Sequence, residues 1–252
     1  MMRPIVTLLT DFGTADGYVA EMKGVLLSSV PDILIVDVSH DIAPQEVESA
    51  RLSLARYWRR FPPGTIHLVV VDPGVGGDRA ALAIASEERL LVGPDNGVLS
   101  PALLAPGARA VALPVPPHAA ATFHGRDVFA PAVVQLAMGV PLDSLGPPAD
   151  DPVLHRTPEP VLGPDGTVHG QIIAIDRFGN AITNCLSIRG GVVQVGSLTL
   201  PVVHTYSEVE RGAPVALIGS SGLVEIAVRE GSAARELGLQ RGTPLTLRPT
   251  PR

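Results

Sequence analysis

Hydrophobic patterning changes character once along this chain, and that change limits its fold more than any other feature. From the start to about residue 140, short apolar runs alternate with segments of helical period. Pro4–Thr10, Ile33–Val38, Ile66–Val71 and Ala81–Ala85 read as buried strands. Between the second and third, Val47, Ala50, Leu54, Tyr57, Trp58 and Phe61 recur at helical spacing until Pro62-Pro63-Gly64 stops the helix. This alternation predicts an N-terminal α/β domain over 1–145, a mainly parallel sheet covered by helices. From Leu142 to Gly166 proline and glycine crowd in without periodicity, which reads as a linker at 146–166. Short runs then follow at regular spacing: Gln171–Ile175, Val192–Val195, Pro201–Thr205, Val215–Ile218, Leu223–Val228 and Pro244–Leu247. They predict a smaller C-terminal all-β barrel domain over 167–252.

A chain of 252 residues is long enough to bury a core in each part. With 46% hydrophobic and 17% charged residues it belongs with globular proteins, and its net charge of -6 gives no basic footprint for nucleic acid. Cys185 stands alone, which excludes an intrachain disulfide and a cysteine zinc cage. No apolar run is long enough to cross a bilayer, and no leader-like segment precedes the first strand run. A cytoplasmic protein without a membrane partner is the expectation.

Acids recur at the ends of the apolar runs: Asp11, Asp37, Asp72 and Asp176. Open parallel sheets bind ligands beyond the carboxyl ends of their strands, so this placement favours a site. The plainer alternative is that each Asp caps the next turn, and Asp37 is assigned to that role. Asp72-Pro-Gly-Val-Gly-Gly-Asp-Arg79 leaves a strand through a glycine-rich turn but lacks the Lys-Ser/Thr of a phosphate loop. Arg79 by itself reads equally well as a surface charge. Thr122-Phe-His-Gly-Arg-Asp127 packs an aromatic, a His, an Arg and an Asp just before an apolar helix. A His beside a carboxylate can act as base or orient a water, so His124 is the candidate. His40, His67, His118, His155, His169 and His204 have bland neighbours and read as ordinary strand or loop residues. Asp176-Arg-Phe-Gly-Asn-Ala-Ile-Thr-Asn184 joins a carboxylate, an aromatic face and two amides across a Gly turn, suited to an ammonium and an adenine ring, or simply to a hairpin turn. Gly219-Ser-Ser-Gly222 offers small donors but is no nucleophile elbow.

Taken together, the segments resemble the S-adenosyl-L-methionine (SAM) hydroxide adenosyltransferase family, related to bacterial fluorinase and chlorinase. Those that carry the resemblance are Thr10-Asp-Phe-Gly13 with Gly17-Tyr18, Val71-Asp-Pro-Gly-Val-Gly76, Gly93-Pro-Asp-Asn-Gly97, Phe123-His-Gly-Arg-Asp127, Asp176-Arg-Phe-Gly-Asn180 and Ser220-Ser-Gly222. The resemblance implies hydrolysis of SAM to adenosine and L-methionine. It also implies a homotrimer whose sites lie between one subunit's N-terminal domain and its neighbour's C-terminal domain. On this pattern Asp72, Arg79 and His124 hold the attacking water, and Asp11 accepts the ribose hydroxyls. Asp176 and Ser220 take the methionine amine and carboxylate, while Phe178 and Asn180 lie near the nucleoside. Phe12, Asp95, Asn96, Phe123 and Ser221 fall in the same matching segments as substrate-binding candidates. The halogenases replace Asp72 and His124 and carry a halide-binding Ser at Gly125, so halide is disfavoured as the nucleophile. Ser221 stands where fluorinase has an Arg, so methionine recognition differs there in detail.

The chemistry suits such a set. The sulfonium of SAM makes the thioether a neutral leaving group that needs no general acid. What the reaction needs is an oxygen held in line with the ribose 5′-carbon, and such positioning contributes about 7–11 kcal/mol in favourable cases. Neither metal nor cofactor is expected, SAM being the substrate. Two other readings remain open on sequence: a metal-dependent hydrolase built on Asp11, Asp72, Asp95 and His124, and a non-catalytic SAM or adenosine sensor. A chlorinase is a distant third.

Overall fold

A computed structural model describes residues 3–187 and 190–250. The chain divides into two compact units, Met1–Arg156 and Thr157–Arg252.

The first unit is built on six strands: β1 (Ile5–Thr10), β2 (Leu34–Ser39), β3 (Ile66–Val70), β4 (Ala81–Ser86), β5 (Arg89–Pro94) and β6 (Arg109–Leu113). They lie in the order β2-β1-β3-β5-β4-β6. The pairings β1–β2, β1–β3 and β3–β5 are parallel, but β4 runs antiparallel to both β5 and β6. The sheet is therefore mixed: the expected parallel order holds for three of its five pairings and breaks at β4. The cause is local. Only Glu87 and Glu88 separate β4 from β5, both with positive φ (46° and 61°), so the chain reverses at once instead of crossing over through a helix.

Side-chain alternation splits the strands between two faces. Val6, Leu8, Leu68 and Val70 pack with Met22 and Leu26 of α1 (Tyr18–Ser29) and with Val133 and Leu136 of α4 (Ala130–Ala137). Leu9, Val69 and Val71 pack on the other face with Leu54 of α2 (Val47–Tyr57), Trp58 just beyond it, and Ala102 of the short α3 (Ser100–Leu103). Both faces being covered explains why these strands read as unbroken apolar runs. The helix expected from Val47 ends at Tyr57, with one tight 3-10 turn, Trp58–Arg60, carrying the chain to the prolines.

Eight strands make the second unit: β7 (Val161–Leu162), β8 (Val168–Ile175), β9 (Ala181–Leu186), β10 (Gly191–Val195), β11 (Leu198–Val203), β12 (Pro214–Ile218), β13 (Leu223–Val228) and β14 (Pro244–Pro249). Seven close into a ring, β8-β14-β10-β11-β12-β13-β9, because β14 pairs back onto β8. β7 adds to β8 outside the ring. Ile172, Val193, Leu200, Val224, Ile226, Leu245 and Leu247 fill the inside, and α5 (Ala233–Glu236) follows β13. The proline-rich stretch between the two expected domains is bonded at both ends. The Ala112 amide donates to Pro147, the Ala149 amide donates to Ala110, and Val161–Leu162 form β7.

Candidate active site

Asp72 leaves β3 at the carboxyl edge of the sheet and enters the turn 72–79, which returns the chain to β4. The turn closes with the Val75 amide donating to Asp72 O and the Gly77 amide to Gly74 O. Gly76 has φ +75°, and a Cβ there would lie 2.2 Å from the carbonyl oxygen of Ala121, so only glycine lets the turn lie against that loop. The turn's last residue, Arg79, folds back onto its first. Its Nε lies 3.0 and 3.1 Å from the two Asp72 carboxylate oxygens, and its Nη2 also donates to Oδ2. Both side chains are nearly buried, at 9% and 4% exposure, so the pair is desolvated and each charge depends on the other.

His124 completes the group from a different element. Arg79 Nη2 lies 2.9 Å from His124 Nδ1. A guanidinium cannot accept, so Nδ1 must, and the imidazole is neutral with its proton on Nε2. Burial and the Arg79 charge both push the His124 pKa down, which keeps that form at neutral pH. His124 opens a π-helical turn, Gly125–Phe129, that runs straight into α4. Arg126 pins this turn. It bonds Asp127 (2.6 Å) and Glu21 of α1 (2.8 Å), and Asp127 in turn accepts the Ala120 amide.

Among the described residues buried Arg79 Nη1 has no hydrogen-bond partner. The centre therefore offers a charged donor at Nη1 and a neutral one at His124 Nε2, next to a carboxylate. Such a set suits an oxygen that gains negative charge.

The remaining N-terminal candidates sit at strand ends. Asp11 follows β1, and its Oδ2 accepts the Gln45 amide at 2.7 Å. Phe12, Tyr18 and Phe123 form an aromatic cluster with centroids 5.3–6.0 Å apart, Phe123 meeting the other two edge-on and Phe12 tilted against Tyr18. Asp95 accepts the Val153 amide at 2.8 Å, and burial raises its pKa. Asn96 serves its own turn, donating to Val71 O and accepting from the Val98 amide.

In the second unit Asp176 organises the β8–β9 turn. Oδ1 accepts the amides of Phe178 and Asn180, and Oδ2 accepts Asn180 Nδ2. Gly179 has φ +86°, and a Cβ there would overlap Ser232 Oγ. Phe178 is 78% exposed. Ser220 and Ser221 occupy a separate turn, between β12 and β13. Ala181 pairs with Ile226 and Leu186 with Leu223, so the two turns lie at opposite ends of the β9–β13 ladder.

Sequence reasoning passed over three residues that hold this architecture. Arg126 lay inside a quoted motif without a role. Gln45 adopts φ +68° to present its amide to Asp11, a conformation that no residue type in the segment announces. His40 is buried between Thr10 and Asp37, and its position just past a strand end was the one available signal.

The chain thus combines a mixed sheet covered by helices on both faces, a closed barrel, and a buried Asp–Arg–His centre at the sheet's carboxyl edge. The chain belongs to the SAM hydroxide adenosyltransferase family: residues 6–146 match the model of its N-terminal domain and residues 170–246 that of its C-terminal domain. It is 45% identical to an (R)-S-adenosyl-L-methionine hydrolase of Thermus thermophilus, with 98% of this chain and all of that protein covered. It is 37% identical to the hydrolase of the same name from Salinispora tropica, over 96% of this chain and 97% of that protein. A fluorinase of Nocardia brasiliensis is more distant, at 29% over 95% of each. Among solved structures, an uncharacterized conserved protein from Thermotoga maritima superposes with a TM-score of 0.87 at 31% identity, over 96% of this chain and 99% of that one. Among the described residues no helix is long and apolar enough to cross a membrane, and no three His, Cys, Asp or Glu side chains are grouped to hold a metal ion.

Proposed function

We infer that this protein hydrolyses SAM, with water attacking the ribose 5′-carbon to give adenosine, L-methionine and a proton. The observation that carries the reading is the buried Asp72–Arg79–His124 set with its unpartnered Arg79 Nη1. The new C–O bond forms as the C–S bond breaks, and the sulfonium takes the bonding pair and leaves as a neutral thioether. Arg79 and His124 donate to the attacking oxygen as its proton departs, so they favour the hydroxide-like charge that the transition state needs. His124 acts here by donation through Nε2, since its Nδ1 is engaged with Arg79.

Asp11 takes the ribose diol through its carboxylate, with Phe12 and Phe123 providing apolar contact and Asp95 and Asn96 shaping the neighbouring turn. Asp176 takes the methionine ammonium, and Phe178 with Asn180 contacts the nucleoside. Ser220 and Ser221, at the far end of the β9–β13 ladder, are too distant to share that amino-acid end with Asp176 of the same chain. The reading needs no cofactor and includes a homotrimer in the cytoplasm. The curated relatives named as SAM hydrolases, matched over nearly their whole lengths, favour this reading over the sensor and metal-hydrolase alternatives.

Incubation with SAM and a chelator, in water enriched in oxygen-18, tests it. Adenosine and methionine are the expected products, with the label at the adenosine 5′-hydroxyl. Methylthioadenosine or adenine as the main product would overturn it. Light scattering tests the trimer separately.

A further inference from the structure

The turn that carries Asp11 is not free-standing. Thr10, the last residue of β1, is fully buried, and its Oγ1 lies 2.8 Å from His40 Nδ1. The same oxygen accepts the Phe12 amide at 3.3 Å, which bends the chain sharply around Asp11. His40 also accepts the Gly13 amide through its backbone carbonyl at 2.8 Å. Five residues on, the Gln45 amide reaches Asp11 Oδ2. The segment from His40 to Gln45 thus grips residues 10–13 at three points and fixes one carboxylate oxygen of Asp11. Among the described residues Oδ1 makes no hydrogen bond.

His40 is itself held. Its side chain is 5% exposed, and its Nε2 lies 3.0 Å from Asp37 Oδ1, an ion-pair contact off the line of an ideal N–H bond. Asp37 in turn meets Lys23 Nζ of α1 at 2.6 Å. With Nε2–H on the side of Asp37, Nδ1 is left to accept the Thr10 hydroxyl proton. Thr10 Oγ1 then keeps a lone pair for Phe12. A chain of polar contacts therefore runs from α1 through the end of β2 to the end of β1.

We propose that His40, oriented by Asp37, is a positioning residue that aims Asp11 Oδ1 at the ribose diol of the substrate. This rests on the reading of Asp11 as the ribose acceptor. His40 touches no reacting atom; it acts through Thr10 and the turn. A ligand carboxylate that must accept two hydroxyls at once is sensitive to its direction, because a hydrogen bond weakens steeply with angle.

Calorimetry with adenosine on Asp11→Ala, His40→Leu, His40→Asn, Asp37→Asn and the double variant Asp11→Ala/His40→Leu tests the proposal, together with steady-state kinetics on SAM. Asp11→Ala should lose about tenfold or more in adenosine affinity, and His40→Leu about tenfold. His40→Asn, whose amide can still reach Thr10 Oγ1, should recover most of that loss. The double variant should bind no worse than Asp11→Ala, because the two residues act through one carboxylate. In His40→Leu the KM for SAM should rise by more than kcat falls. A packing role alone would give additive losses and no rescue by Asn, and either result overturns the proposal. If Asp11→Ala weakens adenosine while His40→Leu binds normally, the ribose reading stands and the positioning role falls. If Asp11→Ala binds normally, the ribose reading itself falls. Should His40→Leu fail to fold, Asp37→Asn carries the test, since Asp37 is partly exposed. It should lose a few-fold in adenosine affinity at an unchanged melting temperature, and wild-type affinity there overturns the proposal.

Discussion

In the N-terminal unit Asp72, Arg79 and His124 bond side chain to side chain, away from solvent. In the C-terminal unit Asp176 directs its carboxylate at the amides of its own turn, and the Phe178 ring beside it stands in solvent. The first arrangement is set before any ligand arrives, so its orientation costs nothing at the moment of reaction. The second fixes where a charge and an aromatic face are displayed but leaves their ligand contacts unmade. The contrast matches the proposed division of labour between the two groups of residues: the Asp72–Arg79–His124 set prepares a nucleophile, while the Asp176 turn, like Asp11 in the first unit, displays groups for recognition. It also predicts that damage to the nucleophile set appears in rate and damage to the Asp176 turn in affinity.

The largest effects should come from the nucleophile set. Asp72→Asn, Arg79→Ala and His124→Ala should each lower kcat on the order of a hundredfold or more, with double changes adding little to the worst single one. SAM affinity should move far less. Asp72→Asn keeps one oxygen to accept from Arg79 and so disturbs the geometry less than Asp72→Ala. Both remove the charge that compensates the buried guanidinium, a defect worth about 3–5 kcal/mol of stability, so melting temperature is measured beside rate. The His124 pKa is lowered, and protonation would remove the acceptor that Arg79 uses. The rate should therefore fall as pH drops through a value below 6.5. Single-turnover kinetics across pH on these variants checks both points, and near-normal turnover in the three singles would sink the mechanism.

Acid should separate the two units as well. All buried histidines among the described residues, His40, His67 and His124, lie in the N-terminal unit. His67 on β3 bonds Thr7 of β1 at 2.7 Å, and burial, then the Arg89 charge, lower its pKa to about 4. Its folded value lies below the unfolded one, so between about 6.5 and about 4 the unfolded chain binds the extra proton. Stability conferred by neutral His67 is thus present above pH 6.5 and is lost as pH falls through that window, by about 3 kcal/mol in all. Trp58, the single tryptophan, is buried in the same unit and reports its unfolding. Urea titrations followed by Trp58 fluorescence should show a flatter pH dependence for His67→Gln than for the natural chain. Equal pH dependence would remove His67 as the cause.

What was legible in the sequence follows the same division. β1, β3 and six of the seven barrel strands were readable because burial on both faces or closure into a ring leaves a strong apolar signal. β4 was readable as a strand but not in direction, because its reversal rests on Glu87-Glu88 rather than on the Asn-Gly or Asp-Gly of a marked hairpin. β9 was hidden because Ala181–Leu186 carries Thr183 and Asn184 inside a segment read for its turn chemistry. Among site residues, Asp72 and Arg79 were joined only by the family resemblance, since Arg79 by itself read equally well as a surface charge. His124 lies 45 positions from Arg79, and no local pattern in the chain sets that contact. His40 and His67 looked ordinary because their partners, Thr10 and Thr7, lie 30 and 60 residues away on a neighbouring strand.

Recognition by the C-terminal unit can be probed without disturbing its turn. Asp176→Asn keeps an oxygen to accept the Phe178 and Asn180 amides but removes the charge. It should leave the melting temperature near that of the natural chain and weaken SAM about tenfold or more, with adenosine little changed. Asp176→Ala should lower the melting temperature as well, since two turn amides lose their acceptor. Calorimetry with both ligands decides the matter: equal losses for SAM and adenosine in Asp176→Asn would take Asp176 out of the methionine site.

The smallest expected effect gives the cleanest contrast between the units. Phe178 is 78% exposed, so its removal takes away almost no packing, and Phe178→Ala should change stability by no more than about 0.5 kcal/mol. An aromatic ring held in water by a rigid turn is nonetheless a poor arrangement unless something covers it. The turn is rigid here: Gly179 at φ +86° sits against Ser232, and the Phe178 amide is bonded to Asp176. Stacking on an adenine ring would contribute about 0.5–1.5 kcal/mol, a few-fold to about tenfold in affinity for adenosine and SAM alike. Phe129, fully buried beneath Arg79 in the other unit, should behave in the opposite way: Phe129→Ala should cost about 3–5 kcal/mol of stability. Melting curves and adenosine calorimetry on the two alanine variants set the residues against each other. If Phe178→Ala binds adenosine as the natural chain does, the exposed ring is no part of the nucleoside site, and recognition in this unit must rest on its polar groups alone.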